Sequence, residues 1–379
     1  KNKHMLPQNN PYDSAPTSPT PDRRAASNNN NNGNNNQSLE VKKPTLPSGG
    51  GALGGFDEHY QTDGFTGTAS LSFGGLHYNS GSGNGPFGMG FGASTAPSIS
   101  RRTSFGTPSY VDTEDTFMWG GQVLVPLLDQ NQEATVQSGA LQSTEDGSWV
   151  QAVTPSTGNY QVRLYRHRHE ANFEQIQYWT WQGDSPETGT PLSFWRIIDK
   201  DNNAHHSGVS RAAQIDDHYN NNHIYKWLHQ ETLDAQGHGT YVYYLAENTD
   251  QVDTSSSAEA NRVQGAQKYL WRICSGHPTP LDEPLSFLSA SQFASQAPDW
   301  YFETVYDYGQ YDLDPSNTNP YDIPEGKLWA LREDSFSNYL PGFEIRTHRL
   351  CQNVLHFHRF ASLNDATPVL THVYRYHYD

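Results

Sequence analysis

Histidine is the residue type whose abundance most strongly suggests chemistry, since the 379 residues include 17 histidines. His356 and His358 form the best candidate pair, because residues i and i+2 of a β-strand point to the same face. A catalytic zinc also needs a third protein ligand and a water, and His348, His372 or His377 would have to supply that ligand. The alternative is that these histidines are half-exposed strand residues among aromatic side chains. A metal-dependent hydrolase is therefore one functional hypothesis.

Other patterns typical of catalysis or ion binding are incomplete. The chain has no G-x-S-x-G or H-E-x-x-H motif, whereas glycosidase carboxylates need not be close in sequence and stay open. Asp199, Asp201 and Asn203 have the spacing that opens a calcium loop, but Ala204 replaces the required glycine. The run that starts at Asp312 fails in the same way. Both segments are predicted to be turns in which Asp and Asn side chains bond to the backbone.

A glycine-rich stretch suggests a dinucleotide site only at first sight. Gly83, Gly85 and Gly88 satisfy G-x-G-x-x-G, which binds a pyrophosphate where it opens a helix. Pro86 and the surrounding glycines disfavour a helix, so the stretch is predicted to form turns. We therefore expect no cofactor.

Carbohydrate binding is a further hypothesis, because closely spaced aromatic side chains could line a sugar-binding groove. The same period-2 spacing is also typical of core and cross-strand packing. A secreted carbohydrate-binding β-protein is thus kept as an alternative function. The aromatic candidates are Tyr241, Tyr243, Tyr244, Trp300, Tyr301, Tyr306 and Tyr308.

Composition predicts an all-β fold of mostly antiparallel sheets with few short helices. Hydrophobic residues make up only 34% of the chain, while 22 Tyr, 16 Phe, 9 Trp and 32 Gly indicate aromatic strands separated by turns. The best helix candidate runs from Ala258 to Ile273, which contains Ala, Glu and Gln and lacks proline. The predicted strands are Val123 to Leu127, Gln161 to Tyr165, Gln175 to Thr180, Phe194 to Ile198, Thr240 to Ala246, Tyr301 to Tyr308, Phe343 to Leu350, Val354 to Phe360 and Val369 to Tyr378.

Residues 1–44 are predicted to be a disordered tail rich in Pro, Ser and Asn, because they contain too little apolar surface to offset the entropy of ordering. Residues 45–379 are predicted to form one β-rich domain.

The charge of the chain is unevenly distributed. Residues 1–43 carry a net charge of +3, so the overall charge of -17 leaves -20 on the remaining residues, and this acidic part is not expected to bind nucleic acid. No run approaches the roughly 18 apolar residues of a membrane span. Cys274 and Cys351 could pair or stay reduced.

Residues 331–360, named here the hallmark segment, contain two runs with the alternation of β-strands. Alternate residues from Phe343 to Thr347 are apolar or β-branched, and the residues between them are charged. Residues 354–360 repeat the alternation. We therefore predict a hairpin or sheet edge in which each strand has one buried face.

The run SFSNYLPGFEIRTHRLCQNVLHFHRF within this segment resembles the hallmark of the Salmonella virulence plasmid B protein family (SpvB-type). The same region forms the N-terminal part of the B component of insecticidal toxin complexes. The chain departs from the family between Phe73 and Leu76, where members usually have a longer strand-rich segment. Eight other segments agree with the family in order: LPSGGG, TGTAS, YNSGSGNGPFGMGF, PSISRRT, VLVPL, YQVRLYR, ANRVQGAQKYL and FETVYDYG.

The resemblance implies a non-catalytic structural and interaction module. In the family, a β-propeller and tyrosine-aspartate (Rhs) repeats follow this region, and the B and C components form a hollow shell around a toxic effector. The implied protein partners are that downstream shell and a C-type component that carries the effector. The actin-modifying ADP-ribosyltransferase domain of some members uses an E-x-E pair, and no two glutamates of this chain lie two residues apart. We therefore expect no enzyme activity.

We expect a cytoplasmic protein that reaches the extracellular region without a signal peptide, since no basic segment precedes an apolar one at the start of the chain.

The residues that we expect to be important are structural rather than catalytic. The expected structural residues are Gly83, Gly85, Pro86 and Gly88 in the turn and Phe343, Arg346, Arg349 and Phe357 in the hallmark strands.

Overall fold

A computed structural model describes the chain from residue 59 onward, with gaps. All of the described residues lie within the compact unit Gly54–Asp379. The predicted tail lies outside them, as does the proposed domain boundary at residue 44. The described ranges are 59–62, 69–73, 76–79, 83–93, 95–143, 149–151, 159–169, 173–183, 191–277, 280–281, 287–295, 300–360 and 367–378.

The first part of the described chain forms a small antiparallel sheet. Strands β2 and β3 pair tightly, with Phe73 opposite Leu76, so the short segment between these residues joins two strands of one hairpin. The side chain of Leu76 is fully buried and belongs to the same core cluster as Val354 of the hallmark segment. In sheet order the strands are β1 (His59–Thr62), β2 (Ala69–Phe73), β3 (Leu76–Asn79) and β4 (Phe91–Ala93).

A second sheet of sixteen strands contains most of the other described elements, and its strand pairs are antiparallel. A short strand, β8 (Val136–Gly139), pairs with β11 beside the main path. Along the main path the strands are β15 (Gln214–Asp217), β16 (Asn220–Trp227), β5 (Ile99–Arg101), β6 (Phe117–Trp119), β7 (Gln122–Pro126), β11 (Tyr160–His167), β12 (Gln175–Trp181), β13 (Ser193–Ile198), β14 (Ala204–Ser207), β17 (His229–Leu233), β18 (Gly239–Ala246), β19 (Lys268–Ser275), β20 (Phe302–Asp307), β23 (Asn353–His358) and β24 (Val369–Arg375).

Two short pairs complete the described sheets, and the all-β prediction is confirmed. Strands β9 (Leu141–Ser143) and β10 (Trp149–Gln151) form one pair, and β21 (Phe336–Asn338) and β22 (Ile345–Thr347) form the other. In the described part, the helical elements are α1 (Ala290–Ser295) and a 3₁₀ turn (Arg211–Ala213). No helix described there is both long enough and apolar enough to span a membrane.

Aromatic side chains fill the core on both faces of the large sheet. Tyr178 stacks on Trp195 with ring centroids 4.4 Å apart, and Phe117 and Trp227 pack edge-on against the same indole. On the other side, Trp179 belongs to a cluster with strand residues from β11 to β23. Such pairs add about 0.5–1.5 kcal/mol each beyond their buried area. This explains why strands of low aliphatic content form a stable sheet.

The predicted turns are confirmed, and local side-chain hydrogen bonds explain them. Asp199 Oδ1 accepts the backbone N–H of Asp201 at 2.9 Å and that of Asn203 at 2.8 Å, which closes the β13–β14 hairpin. Asp314 Oδ1 accepts the N–H of Ser316 at 2.8 Å in the same manner. These carboxylates accept hydrogen bonds from the backbone of their own turns, as predicted.

Two predictions about local structure are wrong. The stretch from Ala258 to Ile273 forms turns followed by strand β19, because cross-strand pairing of β19 with β18 and β20 outweighs the weak helix propensity of Ala, Glu and Gln. Of the two alternatives for the hallmark strands, the hairpin is wrong, whereas a position at a sheet edge holds for β22 and not for β23. Strand β22 pairs with β21, while β23 lies between β20 and β24 in the large sheet.

The two cysteines are separate, free thiols. Cys274 lies in one core cluster and Cys351 in another, and both are buried. Burial raises the pKa of each thiol well above its ordinary value. Neither thiol therefore has the exposed, low-pKa environment of a reactive cysteine.

Candidate functional site

The glycine-rich stretch, residues 83–92, forms two consecutive turns and leads into strand β4. The N–H of Gly88 donates to the carbonyl of Gly85 at 3.1 Å, and Gly90 N–H donates to Gly83 at 3.3 Å. Gly88 has a φ of +90°, which favours glycine, whereas a Cβ on Gly83 or Gly85 would meet no atom within 4 Å. Of the three predicted glycines, only Gly88 is required by its backbone conformation. Because a strand follows, the geometry is not that of a dinucleotide loop.

These turns dock directly on the hallmark segment. The carbonyl of Pro86 accepts the backbone N–H of Cys351 at 2.8 Å. The guanidinium of Arg332 donates to the carbonyl of Gly85 at 3.0 Å and to Asn84 Oδ1 at 3.1 Å. Phe87 packs edge-on against Tyr306, with ring centroids 5.7 Å apart. Two motifs that are far apart in sequence therefore form one structural unit.

Arg349 is the central residue of this unit, and its side chain is fully buried. Its Nε donates to Glu247 Oε1 at 2.9 Å, and neither side chain has any exposed surface. Its Nη atoms donate to the carbonyl of Trp329 at 3.2 Å, to Asn248 Oδ1 at 2.9 Å and to the carbonyl of Asp250 at 2.8 Å. A buried ion pair is tolerated only when its remaining donors are satisfied, and this one meets that condition.

The second oxygen of Glu247 orders the backbone of the hallmark segment. Glu247 Oε2 accepts the N–H of His348 at 2.9 Å and also accepts a short hydrogen bond from the hydroxyl of Tyr269. The Tyr269 oxygen in turn accepts the N–H of Arg349 at 3.2 Å. One carboxylate thus fixes both the side chain of Arg349 and the strand that carries it.

A second polar network surrounds Arg346, on the neighbouring part of the segment. Arg346 forms a short ion pair with Glu259, and Arg262 forms a similar pair with Glu344. His348 Nδ1 lies 2.9 Å from the hydroxyl of Ser335. Each of the two glutamates therefore forms an ion pair with an arginine that is far from it in the sequence.

The prediction of one buried face is wrong for both hallmark strands. Residues 354–357 of β23 are all buried, so both of its faces are covered. The same holds for β22. Ile345, Arg346, Thr347 and His348 are all buried, so both faces of β22 are covered. Ile345 packs in an apolar cluster on one side, while the Arg346 and His348 side chains meet Glu259 on the other. Alternation in sequence gives the direction of a side chain but does not say whether that side is solvated.

The two aromatic candidates of the hallmark strands lie at different depths. Phe357 is almost fully buried in the largest core cluster and packs edge-on against Tyr321 at 5.1 Å. Phe343 is only partly buried and lies at the margin of the cluster that contains Ile345. Phe357 therefore supports the core, whereas Phe343 covers its edge.

The histidine pair on β23 lacks the surroundings that a metal requires. His356 Nδ1 lies 3.0 Å from the hydroxyl of Thr304, and burial, with smaller effects of His372 and His358, lowers the pKa of His356 to about 4. His358 packs edge-on against Phe302. Among the residues that the structure describes, no group of three His, Cys, Asp or Glu side chains is placed to hold a metal. The described residues therefore do not fit a zinc site.

The aromatic residues proposed for sugar binding are mainly core residues. Tyr241 and Trp300 are buried and pack on each other with ring centroids 4.5 Å apart. Tyr243, Tyr306 and Tyr308 are buried as well. Tyr244 is partly buried, and Tyr301 is 38% exposed and stacks on Phe360 with ring centroids 5.3 Å apart. Core packing therefore explains the spacing of most of these rings.

Sequence reasoning missed a buried cluster between strands β13, β14 and β17. His206 Nδ1 lies 3.0 Å from Glu231 Oε1, both side chains are fully buried, and His206 stacks on Phe287. Burial lowers the pKa of His206 well below its ordinary value and raises that of Glu231 well above. Arg196 lies nearby, and burial lowers its pKa to about 10. Only strand register brings these residues together, so no sequence pattern signals the cluster.

The comparisons with known proteins agree with this arrangement. The family model described as Salmonella virulence plasmid 65kDa B protein matches residues 67–360. The chain belongs to this family. The match includes the glycine-rich turns, Glu247 and the hallmark segment.

Two curated relatives in the family carry the name mono(ADP-ribosyl)transferase SpvB. The protein of Salmonella typhimurium (strain 14028s / SGSC 2262) is 36% identical over 285 residues, which cover 75% of this chain and 44% of the relative. The protein of Salmonella choleraesuis (strain SC-B67) is 34% identical over 333 residues, which cover 84% and 51%. The chain thus spans about half the length of the curated relatives that it matches.

Solved structures of similar proteins share the fold. The N-terminal domain of effector protein SpvB from Salmonella typhimurium strain LT2 is 31% identical, with a TM-score of 0.62, and the match covers 82% of this chain and 94% of that domain. A TcdB2-TccC3-TEV crystal structure gives a TM-score of 0.66 at 31% identity, covering 86% of this chain and 15% of the other. The Photorhabdus luminescens Tc holotoxin pore gives 0.65 at 30% identity, covering 88% and 15%.

The glycine-rich turn yields a first prediction. Replacing Gly88 with alanine should lower the free energy of unfolding by about 1–2 kcal/mol, because φ is +90° and the new Cβ would lie 3.0 Å from the ring of Tyr378. Gly85→Ala is the matched control in the same turn and should not destabilise the protein, since its Cβ meets nothing within 4 Å. Urea unfolding measures both. Equal losses in the two variants would contradict the assignment.

The buried ion pair yields a second prediction. Arg349→Met should cost about 3–5 kcal/mol of unfolding free energy, because it leaves the Glu247 carboxylate buried without its cation. Adding Glu247→Gln to the Arg349→Met variant should recover part of this loss. The double variant should therefore lose less unfolding free energy than the sum of the losses of the two single variants. Lys200→Met is the control, because its pair with Asp201 is exposed, and it should leave the unfolding midpoint unchanged. Strict additivity would show that the pair is not coupled.

The buried histidines yield a third prediction. His229 is buried, and burial lowers its pKa to about 3, so the folded state holds it neutral while the unfolded state protonates it near pH 6.5. Its contribution to stability is therefore complete above pH 6.5 and is lost as the pH falls from 6.5 towards 3, by about 1.4 kcal/mol per pH unit. His229→Gln should flatten the fall in unfolding free energy between pH 6.5 and 4.5. His238→Gln, at an exposed site, should not. Identical pH slopes in both variants would refute the assignment.

Proposed function

We propose that this chain is a non-catalytic structural module of a toxin-complex B-type protein and contributes to a shell that encloses a toxic effector. The observation that carries the proposal is the match to most of this chain within the TcdB2-TccC3 structures, where it forms only a small part of a longer chain. The site supports it, because its conspicuous polar groups form buried ion pairs rather than an accessible catalytic set.

The absence of catalysis is part of the proposal. The match covers 94% of the SpvB N-terminal domain but only 44–51% of the curated transferases, which supports the proposal that this chain lacks their transferase part. The partners would be the remainder of the shell and a C-type component. The protein would act in the cytoplasm until its release to the extracellular region, which fractionation of producing cells would test.

A chimaera tests the structural role. Residues 46–379 replace the matched region of TcdB2, and the product is expressed with TccC3. We expect a complex that elutes like the parent and shields the C component from protease, whereas TcdB2 that lacks the region should fail. A chimaera that folds, as judged by circular dichroism, but leaves TccC3 unbound or exposed would overturn the proposal.

A transfer assay tests the non-catalytic role separately. The purified chain is incubated with labelled NAD and actin, with full-length SpvB as the positive control. We expect no label on actin, and transfer above the level of a no-protein control would contradict the proposal.

A further inference from the structure

Arg196 of strand β13 carries a buried positive charge that no carboxylate neutralises by direct contact. Its side chain is 1% exposed, and among the described residues it forms no ion pair. Burial lowers the pKa of Arg196 only to about 10, so the guanidinium stays charged at neutral pH. A charge inside a protein core is costly unless a counter-ion and hydrogen bonds compensate it. The structure therefore calls for a counter-ion at this position.

The same guanidinium has hydrogen-bond donors without acceptors. Its Nη1 donates to Gln151 Oε1 at 2.9 Å, whereas Nε and Nη2 have no partner in the described part of the chain. The neighbour of Arg196 on β12, Gln177, accepts the indole N–H of Trp179 at 3.1 Å instead. Buried donors without a partner are rare in native proteins, and an ion or a water molecule is the usual explanation.

His206 lies directly opposite Arg196 in the sheet and supplies a further donor. Its ring is fully buried, its Nδ1 lies 3.0 Å from Glu231 Oε1, and its Nε2 has no partner among the described residues. The other oxygen of Glu231 accepts the backbone N–H of Leu288 at 3.2 Å. Burial raises the pKa of Glu231 well above its ordinary value, which favours a neutral carboxyl that donates to Nδ1. The imidazole hydrogen then lies on Nε2.

Aromatic side chains cover these donors and limit the size of a ligand. Phe287 stacks on His206 with ring centroids 4.4 Å apart and packs against Phe194 at 5.6 Å. Both phenylalanines are fully buried. A site covered in this way suits a small ion rather than a phosphate or an organic molecule.

The charge and the donors together select an anion. Side chains of directly opposed residues in an antiparallel pair have Cβ atoms about 4.5–5.5 Å apart, so one ion can contact both Arg196 and His206. A water molecule could accept the same hydrogen bonds, but it would leave the charge of Arg196 uncompensated. A cation would add to that charge. A monovalent anion satisfies the donors and neutralises the guanidinium.

We propose that Arg196 and His206 bind one monovalent anion of halide size in the interior of the large sheet. Nε and Nη2 of Arg196 and Nε2 of His206 donate to the ion. Because these side chains are almost fully buried, the ion is taken up as the chain folds and acts as a structural counter-ion. The site is independent of the proposed role in a toxin complex.

Urea unfolding of the full chain tests the site through its effect on stability. Sodium chloride replaces sodium gluconate at constant ionic strength, since gluconate is too large for the site. We expect the unfolding equilibrium constant to fall by about tenfold for each tenfold rise in chloride concentration above the dissociation constant, because the ion binds the folded chain. An unfolding constant that does not depend on chloride would overturn the proposal.

A pair of variants assigns the chloride effect to this site. Arg196→Met removes the buried charge and its unpaired donors, so it should abolish the chloride dependence. In gluconate this variant should unfold at a urea concentration no lower than the parent does, because the parent then buries an uncompensated charge. Arg211→Met is the control, since the Arg211 side chain is 60% exposed, and it should keep the chloride dependence of the parent. The same chloride dependence in both variants would contradict the assignment.

Bromide locates the ion without requiring that a variant folds. The full chain is refolded from urea in sodium bromide and crystallised, and anomalous scattering is recorded at the bromine absorption edge. We expect an anomalous peak in contact with Arg196 Nε and Nη2 and with His206 Nε2. Bromide at surface cations only, or a water molecule without anomalous signal between Arg196 and His206, would overturn the proposal.

Discussion

The ion pair between Arg349 and Glu247 is the interaction on which the rest of the structure depends. Both side chains are fully buried, and the energetic cost of removing two charges from water is recovered only because every part of the guanidinium and both carboxylate oxygens have partners. Those partners come from the 248–250 loop, β19, the segment before β21 and the hallmark backbone. The pair therefore joins residues 247–250 and β19 to residues 329–349, which lie far from them in the sequence.

This constraint explains the irregular hallmark segment. Its central part forms only three residues of strand, because the surrounding peptide groups bond to Glu247, Tyr269 and the glycine-rich turn rather than to a continuous ladder. The large sheet supplies the aromatic core, and the segment lies against one part of it. Solved structures at 30–31% identity have this fold with TM-scores of 0.62–0.66, so the architecture tolerates extensive change in sequence.

The distribution of polar groups fits a structural role. The most strongly perturbed groups, such as His206 and Glu231, lie inside the sheet, where a substrate would not reach them. Perturbed pKa values often mark active sites, but buried structural networks perturb them as well. In this chain His206 and Glu231, whose pKa values are perturbed, belong to such a buried network.

The sequence by itself determined the class of fold, the positions of nine of the 24 described strands and those of the predicted turns, because these depend on neighbours within a few residues. Period-2 aromatic runs indicated the strands, and Asp199 and Gly88 lie in turns that their own chemistry favours. Tertiary structure alone decided that Arg346 and His348 are buried, that β22 pairs with β21, and that His356 has no ligand set in the described residues. The reason is distance along the chain. Glu247 and Arg349 are 102 residues apart, and no local pattern specifies which charges will meet across a sheet.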